Sequence, residues 1–242
     1  MKRNGIVSAL CFIGFLAAEA PDISVAEALV LLSILFFVPG IFPFVFRQSP
    51  VRAAQFMEYG LIQCYPVAAF FAVLALVTEV GVFALWMYTV FIALYAILRL
   101  WETKIHRIEE TSVLFGLIYL AGGGFWFFAY AAHLQIMQFG PLIILLTAVH
   151  FHYSAFLIPI FNGLLGRTIR KHRMLYSWIT WVILLSPLLI ALGITYSKTL
   201  DVIAVSIYMA AIYLHAFLLS CAASIRKVSD KGSGQVPALV CR

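Results

Sequence analysis

Charge is scarce in this chain. Only 11% of its 242 residues are charged, where a soluble domain carries about a quarter. With 64% hydrophobic residues, that scarcity excludes a soluble globular protein, a disordered chain and a disulfide-rich secreted module. Cysteine is also sparse, at four. Cys11, Cys64 and Cys221 sit inside apolar runs, where a thiol packs as a small hydrophobe. Cys241 lies in a polar tail, and no Cys-x-x-Cys pair points to zinc or redox chemistry.

Other absences remove whole classes of membrane chemistry. No Asp lies in mid-run, so the paired Asp motifs that hold Mg²⁺-diphosphate are missing, which argues against a prenyltransferase of the aspartate-rich type. No Lys lies there either, which excludes a retinal Schiff base. The sequence has no His-Glu-x-x-His, no desaturase-like histidine boxes, no phosphate-binding or dinucleotide loop, no arginine ladder and no potassium filter. Glu109-Glu110 resembles the paired glutamates of CAAX-type membrane proteases, but Leu114 and Leu146 stand where those enzymes need Arg and Phe. That match is rejected.

What the chain does have is apolar length. Runs near 5–19, 23–46, 53–78, 80–100, 111–133, 139–165, 174–197 and 201–224 are each about as long as a membrane span. If all eight cross, 15 of the 16 Lys and Arg fall on one side and only Lys198 on the other. The positive-inside rule makes the rich side cytoplasmic, along with both termini. The net charge of +6 is then explained by topology and calls for no nucleic acid. The first run is short, follows Lys2-Arg3 and ends in Ala18-Glu19-Ala20, the form of a signal peptide, but Pro21 disfavours cleavage. The expectation is an all-α polytopic bundle of about eight spans (seven if the first is cleaved) over 1–224. A disordered polar tail is expected over 225–242. No internal repeat and no matched pair of Gly/Pro-broken helices is expected, which weakens an inverted-repeat transporter.

Polar groups inside spans are costly and therefore functional candidates. Glu58, His150, His152 and His215 are the candidate catalytic set. His150 and His152 point about 200° apart on a regular helix, so they cannot easily share a metal. Pro159 is expected to kink their helix and free a carbonyl near residue 155. Gln63, Tyr65, Phe125, Trp126, Tyr153, Ser154 and Asn162 are the candidate substrate-binding residues. Gly122-Gly123-Gly124 permits either close packing or a break. Glu109 and Glu110 read as a helix cap beside Arg107, and Trp101, Tyr176, Trp178 and Tyr196 as an interfacial belt. Each histidine also has a structural reading, as a hydrogen-bonding link between helices.

The stretch Thr147-Ala-Val-His150-Phe-His152-Tyr153-Ser154-Ala-Phe156, through Pro159 and Gly166-Arg167, resembles the signature helix of the YndJ-like bacterial integral membrane family. The resemblance covers about 20 residues. It implies a bacterial membrane bundle and no particular reaction. Some members of that family look longer, with a soluble region after the helices.

Three functions remain in view. The leading expectation is a membrane-embedded enzyme using acid–base chemistry on a lipophilic substrate such as an isoprenoid. A protonation-initiated cyclase is one form, with Glu58 as acid and the histidines orienting it or acting as base. No cofactor is expected; a weaker variant places a metal on His150 or His152 with His215 and a carboxylate. The rivals are a small transporter or channel with a His/Glu relay, and a structural membrane protein. Expected partners are membrane lipids and a lipophilic small molecule, in the bacterial inner membrane.

Overall fold

In a computed structural model, the described residues are 24–46, 51–74, 79–103, 107–169 and 172–230, with backbone alone at 79–80, 102–103 and 222–230. Among them, seven helices are long and apolar enough to cross a membrane. They are α1 (Val25–Val45), α2 (Arg52–Leu74), α3 (Glu79–Thr103), α4 (Ile108–Ala131), α5 (Pro141–Gly166), α6 (Arg173–Tyr196) and α7 (Lys198–Asp230). The boundaries follow the apolar runs to within a few residues. The first run, 5–19, and the question of its cleavage lie outside the described residues.

Successive helices alternate direction, so Arg52, Arg99, Arg107, Arg167 and Arg173 gather at one end and Lys198 stands at the other. Helix α4 is the most enclosed and packs against α3, α5 and α6. The core holds Leu31, Leu35, Tyr65, Leu117, Phe127 and Phe156. Large apolar side chains also point outward, among them Phe70, Phe91, Trp181, Leu188 and Phe217. A soluble protein does not leave such a continuous apolar girdle exposed, whereas lipid is its natural surrounding.

Local signals set the helix ends. Ser24 and Glu27 form a reciprocal capping box at the start of α1. Helix α4 stops in a Schellman arrangement, with Leu134 N–H on the Ala129 carbonyl and His133 N–H on that of Tyr130. His133 occupies the left-handed position (φ 52°) where glycine is usual. At the other end of the chain, α7 continues to Asp230, so 225–230 are helical rather than disordered. No Gly or Pro interrupts the chain between Ser224 and Asp230, and nothing stops the helix there. Residues 231–242 of the expected tail lie outside the described residues.

Candidate functional site

Helices α1 and α5 are each interrupted by a wider turn. In α1 the segment Ser33–Phe37 is π-helical, and Val38 N–H reaches back five residues to the Ser33 carbonyl. In α5 the segment Phe151–Leu157 is π-helical, and Ile158 N–H reaches the Tyr153 carbonyl in the same way. A proline follows each last wide bond: Pro39 and Pro159. The expectation that no matched pair of Pro-broken helices exists is therefore corrected. The two run in the same direction, so they are not an inverted pair. They touch through Tyr153, whose hydroxyl donates to the Leu29 carbonyl (2.9 Å) and whose ring meets Phe37 edge-on.

A proline removes an N–H and leaves carbonyls upstream without a donor. In lipid no water replaces it, so a neighbouring helix must. Tyrosine hydroxyls reach backbone carbonyls three to five residues upstream of a proline at four places. Tyr65 of α2 donates to the Leu35 carbonyl (2.8 Å), with that of Ile34 at 3.4 Å, upstream of Pro39. Tyr88 of α3 donates to Leu61 (2.8 Å), upstream of Pro66. Tyr119 of α4 donates to Leu184 (2.6 Å), upstream of Pro187. Tyr208 of α7 donates to Ser154 (3.3 Å), upstream of Pro159. The freed carbonyl is thus that of Ser154 rather than residue 155, because the wide turn shifts the register by one. Tyr65, expected to bind substrate, is fully buried and holds α1 to α2.

The three glycines of α4 do not break it. Each seats a side chain from a neighbour where a Cβ would collide: Gly122 takes the ring of Phe151, Gly123 that of His152 and Gly124 the Thr89 hydroxyl of α3. His152 is the inward histidine. It is fully buried, and its Nδ1 lies 2.8 Å from the Ala148 carbonyl of its own helix. Donating there puts the proton on Nδ1 and leaves Nε2 a lone-pair acceptor. That Nε2, the Nε2 of His150 and the Ser33 hydroxyl are buried without a hydrogen-bond partner.

Asn162 forms a separate hub nearer the arginine-rich end. Its Nδ2 donates to Thr180 Oγ1 (2.8 Å) and Ser112 Oγ (3.2 Å), and its Oδ1 pairs with His215 Nδ1 (3.1 Å). Tyr176 donates to the Asn162 carbonyl (3.0 Å), and Ser112 to that of Pro159 (2.7 Å). This network ties α4, α5, α6 and α7 together with its amide fully used. Tyr176 is buried and is not part of the interfacial belt; Trp101, Trp178 and Tyr196 are exposed as expected.

Glu58 stands elsewhere again, accepting from the Tyr95 hydroxyl of α3 (2.6 Å). The four candidate catalytic residues therefore have separate partners: Tyr95, the α5 backbone and Gly123, and Asn162, with His150 beside Phe151. Among the described residues no three His, Cys, Asp or Glu gather closely enough to hold a metal. Glu109 and Glu110 are more than a cap beside Arg107. Glu110 binds Arg167 through both oxygens (2.8 Å each), Arg167 also donates to the Phe44 carbonyl (2.7 Å), and Glu109 pairs with Arg173 (3.2 Å).

One groove lies between α1, α5 and α7, beside both wide turns. It measures about 400 Å³ and is open at the side, where Phe161 and Met209 are exposed. Its lining includes Phe37, Ser154, Leu157, Tyr208, Met209 and Ile212, with no charged residue. Of the candidate substrate-binding residues, Tyr153 and Ser154 line it. Gln63 is exposed on α2, and Phe125 and Trp126 join an aromatic cluster with Trp86 and Phe139. His152 points to α4, away from the groove. Sequence reasoning missed Phe37, Tyr208 and Met209; the available signal was a tyrosine in an apolar run facing a proline on another.

Residues 28–233 match the YndJ-like protein family. The chain belongs to that family. It is 96% identical over 225 residues to the "Uncharacterized membrane protein YndJ" of Bacillus subtilis (strain 168). That match covers 92% of this chain and 41% of the relative, so the chain spans less than half of that protein's length. No solved structure matches.

Proposed function

We propose that this multi-pass bundle resides in the bacterial cytoplasmic membrane and binds a lipophilic molecule in the groove between α1, α5 and α7. The observation that carries this reading is the groove itself: apolar, uncharged, open sideways at mid-span, and framed by the two interrupted helices. Wide turns in helices recur at functional sites, and a concave apolar surface is where a ligand buries its own apolar area. The arginine-rich ends of the helices support the cytoplasmic-membrane assignment. This reading keeps the lipophilic substrate expected from the sequence and assigns no proton transfer to Glu58, His150, His152 or His215, whose hydrogen bonds go to separate places.

The test is photolabelling in liposomes with a diazirine-bearing long-chain lipid, followed by peptide mapping. Label is expected to concentrate on residues 153–161 and 208–212 and to fall about tenfold in Met209→Trp, which fills the groove. Label spread evenly over the exposed faces of α2, α3, α6 and α7 contradicts the reading.

A second reading, transport, draws support from the paired interruption of α1 and α5, since broken helices at mid-membrane flank transport sites. It predicts that a cysteine at Ser33 reacts with water-soluble thiol reagents from one face or the other. The groove reading predicts no reaction there.

A further inference from the structure

Tyr153, Ser154 and Tyr208 bring the polar groups of the groove, and one of these groups, the Ser154 carbonyl, owes its availability to the backbone. Pro159 carries no N–H, so in the wide-turn register the Ser154 carbonyl receives no donor from its own helix. Tyr208 is the donor that reaches it, at 3.3 Å. That is long for an O–H···O bond, whose usual length is about 2.7–2.8 Å. In α1 the matching carbonyl, five residues before Pro39, is that of Ile34; Tyr65 lies 3.4 Å from it and also makes a 2.8 Å bond to Leu35 in the closed core. The core tyrosine thus has a short bond beside its long one, whereas the bond from Tyr208 to Ser154 at the groove is long. The other tyrosine of the lining, Tyr153, is committed to the Leu29 carbonyl at 2.9 Å.

A slack acceptor and donor side by side suit a group that does both. We propose that the groove selects a neutral lipid alcohol, whose hydroxyl donates to the Ser154 carbonyl and accepts from the Tyr208 hydroxyl. This rests on the groove reading above and names its ligand class. Ser154 lies about 20 Å along α5 from Pro141 and about 18 Å from Gly166, at 1.5 Å per residue. The pair therefore sits near the middle of the bilayer. A phosphate or carboxylate there would meet a carbonyl oxygen, no cation and a large desolvation penalty. A hydrocarbon would leave the Ser154 carbonyl with its one long bond. A single uncharged hydroxyl on a long apolar body fits the depth, the charge and both hydrogen-bonding roles.

The experiment compares two diazirine probes of equal length, a long-chain alcohol and the matching hydrocarbon, on the full chain in liposomes. Wild type is expected to label the groove about tenfold more strongly with the alcohol, the factor that corresponds to about 1.4 kcal/mol. Tyr208→Phe removes the donor and is expected to lower that preference to about threefold. Pro159→Ala supplies an N–H that takes up the Ser154 carbonyl and is expected to bring the ratio to about one. Hydrocarbon labelling of the groove should persist in both variants, which also reports that they fold. Equal labelling by the two probes in wild type overturns the alcohol assignment while leaving the groove reading intact. No groove labelling by either probe overturns both.

Discussion

Replacing Asn162 by Leu removes the hub that joins four helices, and the structure allows the loss to be worked out. Three side-chain bonds disappear, to Ser112, Thr180 and His215. Interhelical hydrogen bonds in membranes average about 0.6 kcal/mol, so three give about 2 kcal/mol. Ser112 and Thr180 keep other acceptors, the carbonyls of Pro159 and Tyr176. His215 loses its Asn162 partner, and an unsatisfied buried donor adds about 1–3 kcal/mol. The total is about 3–5 kcal/mol. The signature lies in the double variant. Asn162→Leu with His215→Leu removes donor and acceptor together, a change that can be nearly neutral. It should therefore be less destabilised than Asn162→Leu alone by at least about 1 kcal/mol. The assay is reversible unfolding in mixed detergent micelles by titration with SDS, followed by tryptophan fluorescence. A loss under about 0.5 kcal/mol for the single variant, or strict additivity in the double, refutes the hub.

Three further expectations follow from other contacts. Gly123→Ala places a Cβ 2.8 Å from His152 Nδ1 and should destabilise by about 1–3 kcal/mol, with His152→Ala relieving most of that in the same unfolding assay. Arg167→Gln breaks a two-pronged pair with Glu110 and the bond to the Phe44 carbonyl, at a loss of about 2 kcal/mol. Arg167→Lys should recover less than half of it, because an ammonium lacks the planar fork, as thermal melting in detergent would reveal. His133→Gly relaxes a left-handed residue at the end of α4 and should raise stability by about 1 kcal/mol, measured as a higher melting temperature.

The spans were legible because hydropathy and charge report on the same boundary. Arg52, Arg107 and Arg173 fall at the arginine-rich ends of α2, α4 and α6, and Lys198 opens α7 at the other face. Pro159 was legible as a disturbance of α5, but its consequence was not. The wide turn moved the freed carbonyl to Ser154, and the residue that answers it, Tyr208, lies 54 positions away. Polarity in an apolar run marks a residue that needs a partner, and it does not say whether that partner is a ligand or a helix. Tyr65, Asn162 and His215 carried the same signal as a substrate site, and their partners prove to be a backbone carbonyl, two hydroxyls and each other. Gly123 beside His152 was invisible for a similar reason: packing across helices leaves no mark at fixed spacing. The groove was less legible still, since a surface shared by Phe37, Ser154 and Met209 has no local pattern.

The most direct test of the account is an experimental map of the chain in a lipid nanodisc, at a resolution that distinguishes lipid density from side chains. Elongated density is expected between α1, α5 and α7, ending against Ser154 and Tyr208, with Asn162 and His215 bonded to each other and Glu58 to Tyr95. A closed groove, with ordered density instead among Glu58, His150 and His152, would contradict it.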